Sequence, residues 1–448
     1  MNNFKLTRGW TEEDKLHMLH GGVPLDDFAK NGTPLILDSA CGIRVKDIHG
    51  REYIDALGGA ICTSCGYSRK ELAEAAKEQM MKLSYAESWS GITSTAAIDY
   101  AHALAEFTPQ GLDRFFFVNS GAEANETAYK IARYYWATKG FKEKNKIISR
   151  NLGYHGLNMV SMWATGIPRF QGKLGAPDPD IVNIAECYCY RCPFGKDYPG
   201  CNLECAEALA EAIEKQGKDR VAAFVAEPIY GVSGTICPPP EYFPRIKEIC
   251  DKYEVLLILD EVMTGFGRTG KNFACEHWNV KPDMLCMSKG MISSALPIAG
   301  VAFTEDIFQG MLCSESFPHL HTCGAHPVSC AVAKRNLEIM IEENLVENSA
   351  VMGRYMLDEL TKLQEYPFIG QVQGMGLFLG FEMVQDQKTR EPFKNKEEKK
   401  LTKAILEEGV IVRPGGSRIQ IGPPLIVTRD DVNDILAAIK KAVANFKA

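Results

Sequence analysis

Three sets of residues in this chain could do chemistry together, and each stands at the end of an apolar run. In "LILDEVMTGFGRTG" the carboxylate of Asp260 closes a segment with the character of a buried strand. A carboxylate in that place needs a cationic partner, because an unpaired buried charge is strongly destabilising. In "MSKGMISSALPIAG" Lys289 follows another apolar run and is flanked by Ser288 and Gly290. An isolated lysine is usually solvated. Among small and apolar neighbours, however, its amine loses hydration, holds its proton less tightly, and becomes a nucleophile able to form a Schiff base. In "NSGAEANE" Ser120, Gly121 and Ala122 open a helical pattern directly after an apolar strand. Free N–H groups and the dipole of a helix start attract an anion, and small residues let it approach closely. Taken alone, Ser120 reads equally well as a simple N-cap.

A fourth set is "ECYCYRCPFGKDYPGCNLECAEA", in which Cys189, Cys192, Cys201 and Cys205 are spaced C-x2-C-x8-C-x3-C. The first pair has good metal-ligand spacing, and Pro193 and Gly195 suit the turn of a thiolate knuckle. The second pair is less typical. A structural zinc or iron–sulfur site and a packed loop of free thiols both remain open. A closed four-Cys site would brace a loop and perform no chemistry.

The elements that position these groups alternate. "RFFFVN", "KIISR", "VAAFVAE", "VLLILD" and "DMLCMSK" read as strands, with helical spacing in "SGAEANETAYKIARYYWA" and "PPEYFPRIKEICDKY" between them. Strand, helix, strand in this order predicts an α/β fold with a mainly parallel sheet covered by helices on both faces. "GFGRTG" fits the letters of a dinucleotide fingerprint. Its distance from the preceding strand and the absence of an apolar-faced helix after it argue against that reading, so the glycines predict a flexible loop. Towards the C-terminus, amphipathic helices ("HPVSCAVAKRNLEIMIEEN", "NKEEKKLTKAILEEG") accompany a β-rich part, which predicts a smaller α+β domain. "GIRVKDIHGREYIDAL" has hairpin character around His49 and Gly50 and is expected to pack with it. The expected organisation is residues 61–318 as a large domain, with a Cys-rich insertion at about 186–207, and a small domain made from residues 1–60 and 319–448.

An anion cradle, a buried acid and a desolvated lysine match what pyridoxal 5′-phosphate (PLP) requires: a phosphate site, a carboxylate for the pyridinium nitrogen and an amine for the aldehyde. At this point the chain resembles the class III (ω-amino acid) aminotransferases of PLP fold type I. The resemblance runs from "GREYIDALGGAICTSCGYSRKELAEA" to "VIVRPGGSRIQIGPPLIVT". It implies a large domain with a mainly parallel seven-stranded sheet between helices, plus the small domain from both chain ends. It implies Lys289 and Asp260 as catalytic residues and Ser120, Gly121 and Ala122 as the phosphate turn. It further implies Tyr154 stacking on the cofactor ring, Glu227 near its phenolic oxygen, and His155 and Val262 among its contacts. Thr322 is implied to reach the phosphate of the other subunit, hence a homodimer or a tetramer built from it. The implied reaction is ping-pong transamination, with Lys289 moving a proton as general base and acid. An aminomutase, racemase or phospho-lyase would use the same Lys and Asp, and a metal or redox protein centred on the cysteines is the reading from another class.

The substrate follows from departures. Relatives acting on 4-aminobutyrate or ornithine often carry an Arg where this chain has Leu157. Arg413, in "VRP", instead matches the mobile Arg of the pyruvate type, whose fork pairs with a carboxylate or sulfonate. Ile61 stands where a Trp is usual and should reshape the pocket, and Arg418 is a candidate second anion reader. These features predict a short ω-amino acid (β-alanine, 4-aminobutyrate or taurine) as donor and pyruvate or 2-oxoglutarate as acceptor. The net charge of −7 carries no basic tract, which argues against nucleic acid as a partner. No apolar run is long enough to span a bilayer and no signal-like start is visible, so a cytoplasmic location is expected.

Overall fold

A computed structural model describes residues 8–393 and 396–447. Its centre is a seven-stranded sheet. Across the sheet the strands run Arg114–Val118, Ala299–Phe303, Met284–Met287, Leu256–Asp260, Val221–Ala226, Lys146–Arg150 and Ile181–Ile184. The Ala299–Phe303 strand is antiparallel to both of its neighbours. The others share one direction, as strand–helix–strand alternation requires. Val221–Ala226 and Leu256–Asp260 are buried at every position, which is why they read as unbroken apolar runs. The helix Gly121–Thr138 covers one face with Ala124, Ala128, Ile131 and Ala132, packed against Ile147, Val225 and Ile258. The helix Tyr242–Lys252 covers the other with Phe243, Ile246 and Ile249.

Two strands escaped the sequence reading. Ile181–Ile184 is a short edge strand carrying Asn183, and Ala299–Phe303 is rich in small residues. The first is only four residues long and broken by Asn183, and the second opens on Ala and Gly, which strands disfavour.

The two chain ends meet. Arg44–Asp47 and Glu52–Asp55 form a hairpin whose turn places Gly50 at φ +81°, and Ile54 pairs in parallel with Val410. A further sheet, ordered Ile369–Met375, Phe378–Met383, Arg418–Ile421 and Arg413–Gly415, completes this part. The "GFGRTG" segment is not the flexible loop expected. It is largely buried, and Arg268 donates to the carbonyls of Leu377 (3.0 Å) and Pro423 (2.5 Å), locking the loop to the C-terminal segments.

Candidate active site

The chemistry-bearing residues all follow the carboxyl ends of parallel strands, where open α/β sheets bind their ligands. Ser120 follows Arg114–Val118, Lys289 follows Met284–Met287, Asp260 ends its own strand, Glu227 follows Val221–Ala226 and Tyr154 follows Lys146–Arg150. Asp260 and Cys286 are register partners, so Lys289 lies just beyond the neighbouring strand end.

Asp260 is almost fully buried and well partnered. Its Oδ2 accepts the Asn125 Nδ2–H at 2.8 Å and lies 2.8 Å from His155 Nδ1, and its Oδ1 accepts the Val262 N–H at 3.1 Å. Burial pushes the Lys289 amine below its ordinary value. Cys62, Asp260 and Glu227 oppose that shift, and Arg413 adds to it. The backbone of Lys289 sits at φ +46°, a left-handed conformation that a side-chain-bearing residue adopts at a cost and that clusters at functional sites.

Ser120 caps the helix Gly121–Thr138, its hydroxyl accepting the Glu123 N–H at 3.3 Å. The N–H groups of Gly121 and Ala122 precede the first internal bond of the helix, from Ala124 N–H to the Ser120 carbonyl. Close packing explains two glycines here. A Cβ on Gly156, at φ +107°, would lie 2.4 Å from the Ala122 Cβ, and one on Gly121 would meet both Val262 methyl carbons at 3.0 and 3.1 Å. The "YHG" turn, the helix start and Val262 therefore pack as one unit.

Glu227 holds that unit from the next strand. Its carboxyl accepts the N–H of Tyr154 (2.9 Å) and of Gly231 (2.8 Å), and burial pushes it up to about 7. Tyr154 is half-buried, with Phe170 edge-on at 5.6 Å.

Arg413 belongs to the same cleft. Burial pushes it below its ordinary value, with Cys62, Arg169 and Tyr154 as its charged or polar neighbours. Its Nη2 donates to Gln420 Oε1 at 2.5 Å, and Gln420 is itself fixed by donating to the Gly231 carbonyl at 2.9 Å. The other two residues expected as substrate contacts are both buried. Arg418 is buried against Glu382 (Nε to Oε2 2.6 Å), the Ser233 carbonyl (2.6 Å) and the Tyr188 ring (4.2 Å), so its guanidinium is already engaged. Ile61 is buried, with its Cδ1 over Gly422, and Leu157 is exposed. Thr322 is exposed, and its carbonyl accepts the Tyr85 hydroxyl at 3.1 Å. Asn125, Cys62 and Gln420 were not singled out in the sequence. A polar residue inside a helix pattern gives no sign of a contact 135 positions away.

Cys189, Cys192, Cys201 and Cys205 do line one small cavity, with Tyr188, Phe194 and Tyr198. Among the described residues, however, no group of three or more His, Cys, Asp or Glu side chains is disposed to hold a metal ion. Cys205 instead contacts Cys187, outside the four, with sulfurs 3.6 Å apart. The zinc or iron–sulfur expectation thus finds no support here.

The model of the class III aminotransferase family matches residues 28–443. The chain belongs to the class III aminotransferases. Like the rest of its family, this aminotransferase uses PLP and moves an amino group between an amine and a 2-oxo acid. It is 33% identical to a putrescine–pyruvate aminotransferase of Pseudomonas aeruginosa, over 98% of this chain and 96% of that one. It is 36% identical to a taurine–pyruvate aminotransferase of Bilophila wadsworthia, over 92% and 93%. Among solved structures, an (S)-enantioselective omega-transaminase from Thermomicrobium roseum matches at 39% identity and TM-score 0.92, covering 97% and 98%. An omega transaminase from Pseudomonas jessenii in complex with PMP matches at 32% identity and TM-score 0.94, covering 98% of each chain. The fold is accordingly PLP fold type I. No helix among the described residues is long and apolar enough to cross a membrane.

Proposed function

We propose that this aminotransferase takes its amino group from a short ω-amino acid of the β-alanine, 4-aminobutyrate or taurine type and gives it to pyruvate or 2-oxoglutarate, with Lys289 and Asp260 as its catalytic residues. The observation that carries the reading is that Lys289 and Asp260 stand at adjacent strand ends, with Arg413, from another sheet, near enough for its charge to act on Lys289.

The residues present fit the cofactor. Partly exposed Ser120, Gly121 and Ala122 offer a helix start to a phosphate. The partnering of Asp260 leaves one acceptor position on Oδ1 for a ring N–H. Glu227 fixes the backbone of Tyr154, and so the ring that would stack, and its carboxyl would be the group to meet the cofactor's phenolic oxygen. His155 and Val262 secure Asp260. When bound, PLP would supply an aldehyde that condenses with an amine and an electron sink for the C–H bond being broken. The desolvated Lys289 Nζ takes the proton from the substrate carbon bearing nitrogen and delivers it to the acceptor carbon, as general base and then acid. Arg413 pairs with the distal carboxylate or sulfonate, a geometry suited to its planar fork. Its side chain is tied to the neutral amide of Gln420, which an anion would replace with an ion pair.

The working unit is a homodimer in the cytoplasm. Met80, Met81, Trp89, Ile92, Ile98 and Leu320 are large apolar residues left exposed, of the kind a protein interface covers. Thr322 and Tyr85 are exposed and hydrogen-bonded to each other, which supports delivery of Thr322 to the phosphate of the second copy. The Cys-rich segment has a bracing role outside the chemistry.

The test is a half-reaction. β-Alanine, 4-aminobutyrate or taurine is expected to bleach the visible band of the bound cofactor, and pyruvate or 2-oxoglutarate to restore it. Arg413→Leu should raise KM for that donor by about 10- to 100-fold, the loss of a charge-assisted pair, and leave an uncharged amine nearly unchanged. If only uncharged amines bleach the band, or KM does not respond to Arg413→Leu, the donor reading fails.

A further inference from the structure

We propose that Asn125 is a positioning residue for Asp260, a side chain that holds the phosphate cradle and the ring-nitrogen acid in one register. This rests on the reading that Asp260 meets the cofactor's ring nitrogen.

Asn125 lies in the second turn of the helix Gly121–Thr138 and is 1% exposed. Its Nδ2 carries two hydrogens, and each has an acceptor: the Gly121 carbonyl at 3.1 Å and Asp260 Oδ2 at 2.8 Å. The amide orientation is chemically forced, since turning it over would set Oδ1 against two acceptors. That leaves Oδ1 buried without a partner among the described residues. Asn is a weak helix former, and an unsatisfied buried oxygen is destabilising. A residue chosen for stability alone at this position would be apolar, like Ala124, Ala128 and Ile131 on the same buried helix. The position accepts that cost for the two bonds made by Nδ2.

Those bonds join two parts of the site. Gly121 opens the cradle, and Asp260 lies 135 residues further along the chain. Asp260 Oδ2 has two lone-pair positions, one taken by Asn125 and one facing His155 Nδ1 at 2.8 Å. Oδ1 has one taken by the Val262 N–H. Three contacts fix the plane of the carboxylate, and the fourth position is directed by default. Without Asn125, Oδ2 keeps only His155, the carboxylate can rotate about its Cβ–Cγ bond, and the helix start loses its tie to the sheet. Both the grip on the cofactor and the timing of proton transfer then suffer, because each depends on where Asp260 points.

Two variants test this. Asn125→Leu keeps the branched outline and removes the donors; Asn125→Ala removes the donors together with the rest of the side chain. Folding is checked by circular dichroism of the apo protein. Three quantities are then compared with wild type: the PLP dissociation constant by equilibrium dialysis, the pH midpoint of the visible band, and the single-turnover rate of its loss with an amine donor. The expected results are PLP binding weaker by about 10-fold and a single-turnover rate lower by about 100-fold. The band midpoint should be displaced and the amine KM should change little. Either variant, folded and with a wild-type band midpoint and single-turnover rate, overturns the proposal. A wild-type protein that shows no cofactor band at all overturns instead the assignment of Lys289 and Asp260.

Discussion

Asp260 and Glu261 are neighbours with opposite uses. Asp260 keeps an acceptor position open towards the cleft, whereas Glu261 is fully buried and spends its carboxyl on the N–H groups of Ala274 (2.7 Å) and Cys275 (2.8 Å) and the Thr264 hydroxyl (2.7 Å). Burial pushes Glu261 up from an ordinary 4.5 to about 7, as it does Glu227. A carboxyl raised on folding binds a proton that the unfolded chain has already released. Stability from this source is therefore full below the unfolded value and is lost as pH rises through about 7, at up to about 1.4 kcal/mol per pH unit for each group. Burial also raises Asp283 and Glu398 and lowers His319, His277 and His326, so the net slope has several sources; Glu261→Gln is expected to shift the slope of apo-protein thermal stability between pH 5 and 7 in the positive direction. An unchanged slope, whatever the absolute melting temperature, would show that Glu261 does not carry this proton. At this scale Lys289 and Asp260 could be picked out from the residues alone, because each ends or follows an apolar run, whereas Glu227 and Tyr154 came only from the family resemblance. Asn125 and Gln420 were legible in neither way, because their roles are set by partners far along the chain.

The Cys-rich segment acts through residues other than its cysteines. Arg191 donates to Glu382 Oε1 (2.6 Å) and Ser417 Oγ (2.8 Å), and the Tyr188 hydroxyl donates to Glu382 Oε2 (2.5 Å). Ser417 sits at the tip of the hairpin that pairs Arg413 with Gln420. The segment thus ties the strand end at Ile184 to the strands that carry Arg413. Arg191→Met should cost about 2 kcal/mol of stability, the loss of hydrogen bonds to a buried charge, and raise KM for a carboxylate donor more than for an uncharged amine. Cys189→Ser should leave turnover within about twofold, as expected of a thiol with no bond to the site. Steady-state kinetics on both variants checks the pair, and a Cys189→Ser enzyme without activity would return the cysteines to the chemistry. Sequence spacing singled out the right segment for the wrong reason: cysteines are conspicuous by type, whereas Tyr188 and Arg191 matter only through a glutamate 191 positions away from Arg191.

For the whole molecule, the parallel sheet and the meeting of the chain ends followed from strand–helix alternation and from the changed character of the C-terminal third. The reversed strand Ala299–Phe303 did not, since direction is a property of pairing that leaves no local trace. The exposed apolar residues carry the expectation about assembly. Met81 is 84% exposed, which is costly for a methionine left in water. Wild-type protein is expected to sediment at twice the 49.6 kDa of one chain. Met81→Glu should shift it towards the single-chain mass and weaken PLP retention as Thr322 of the second copy is lost. A wild-type protein that sediments as a single chain and keeps full activity would contradict the dimer. The most direct test of the central claim is borohydride reduction of the PLP-loaded enzyme followed by peptide mass spectrometry. The pyridoxyl mass is expected on the peptide containing Lys289 and on no other, and a reduced adduct on a different lysine, or none, would contradict the assignment.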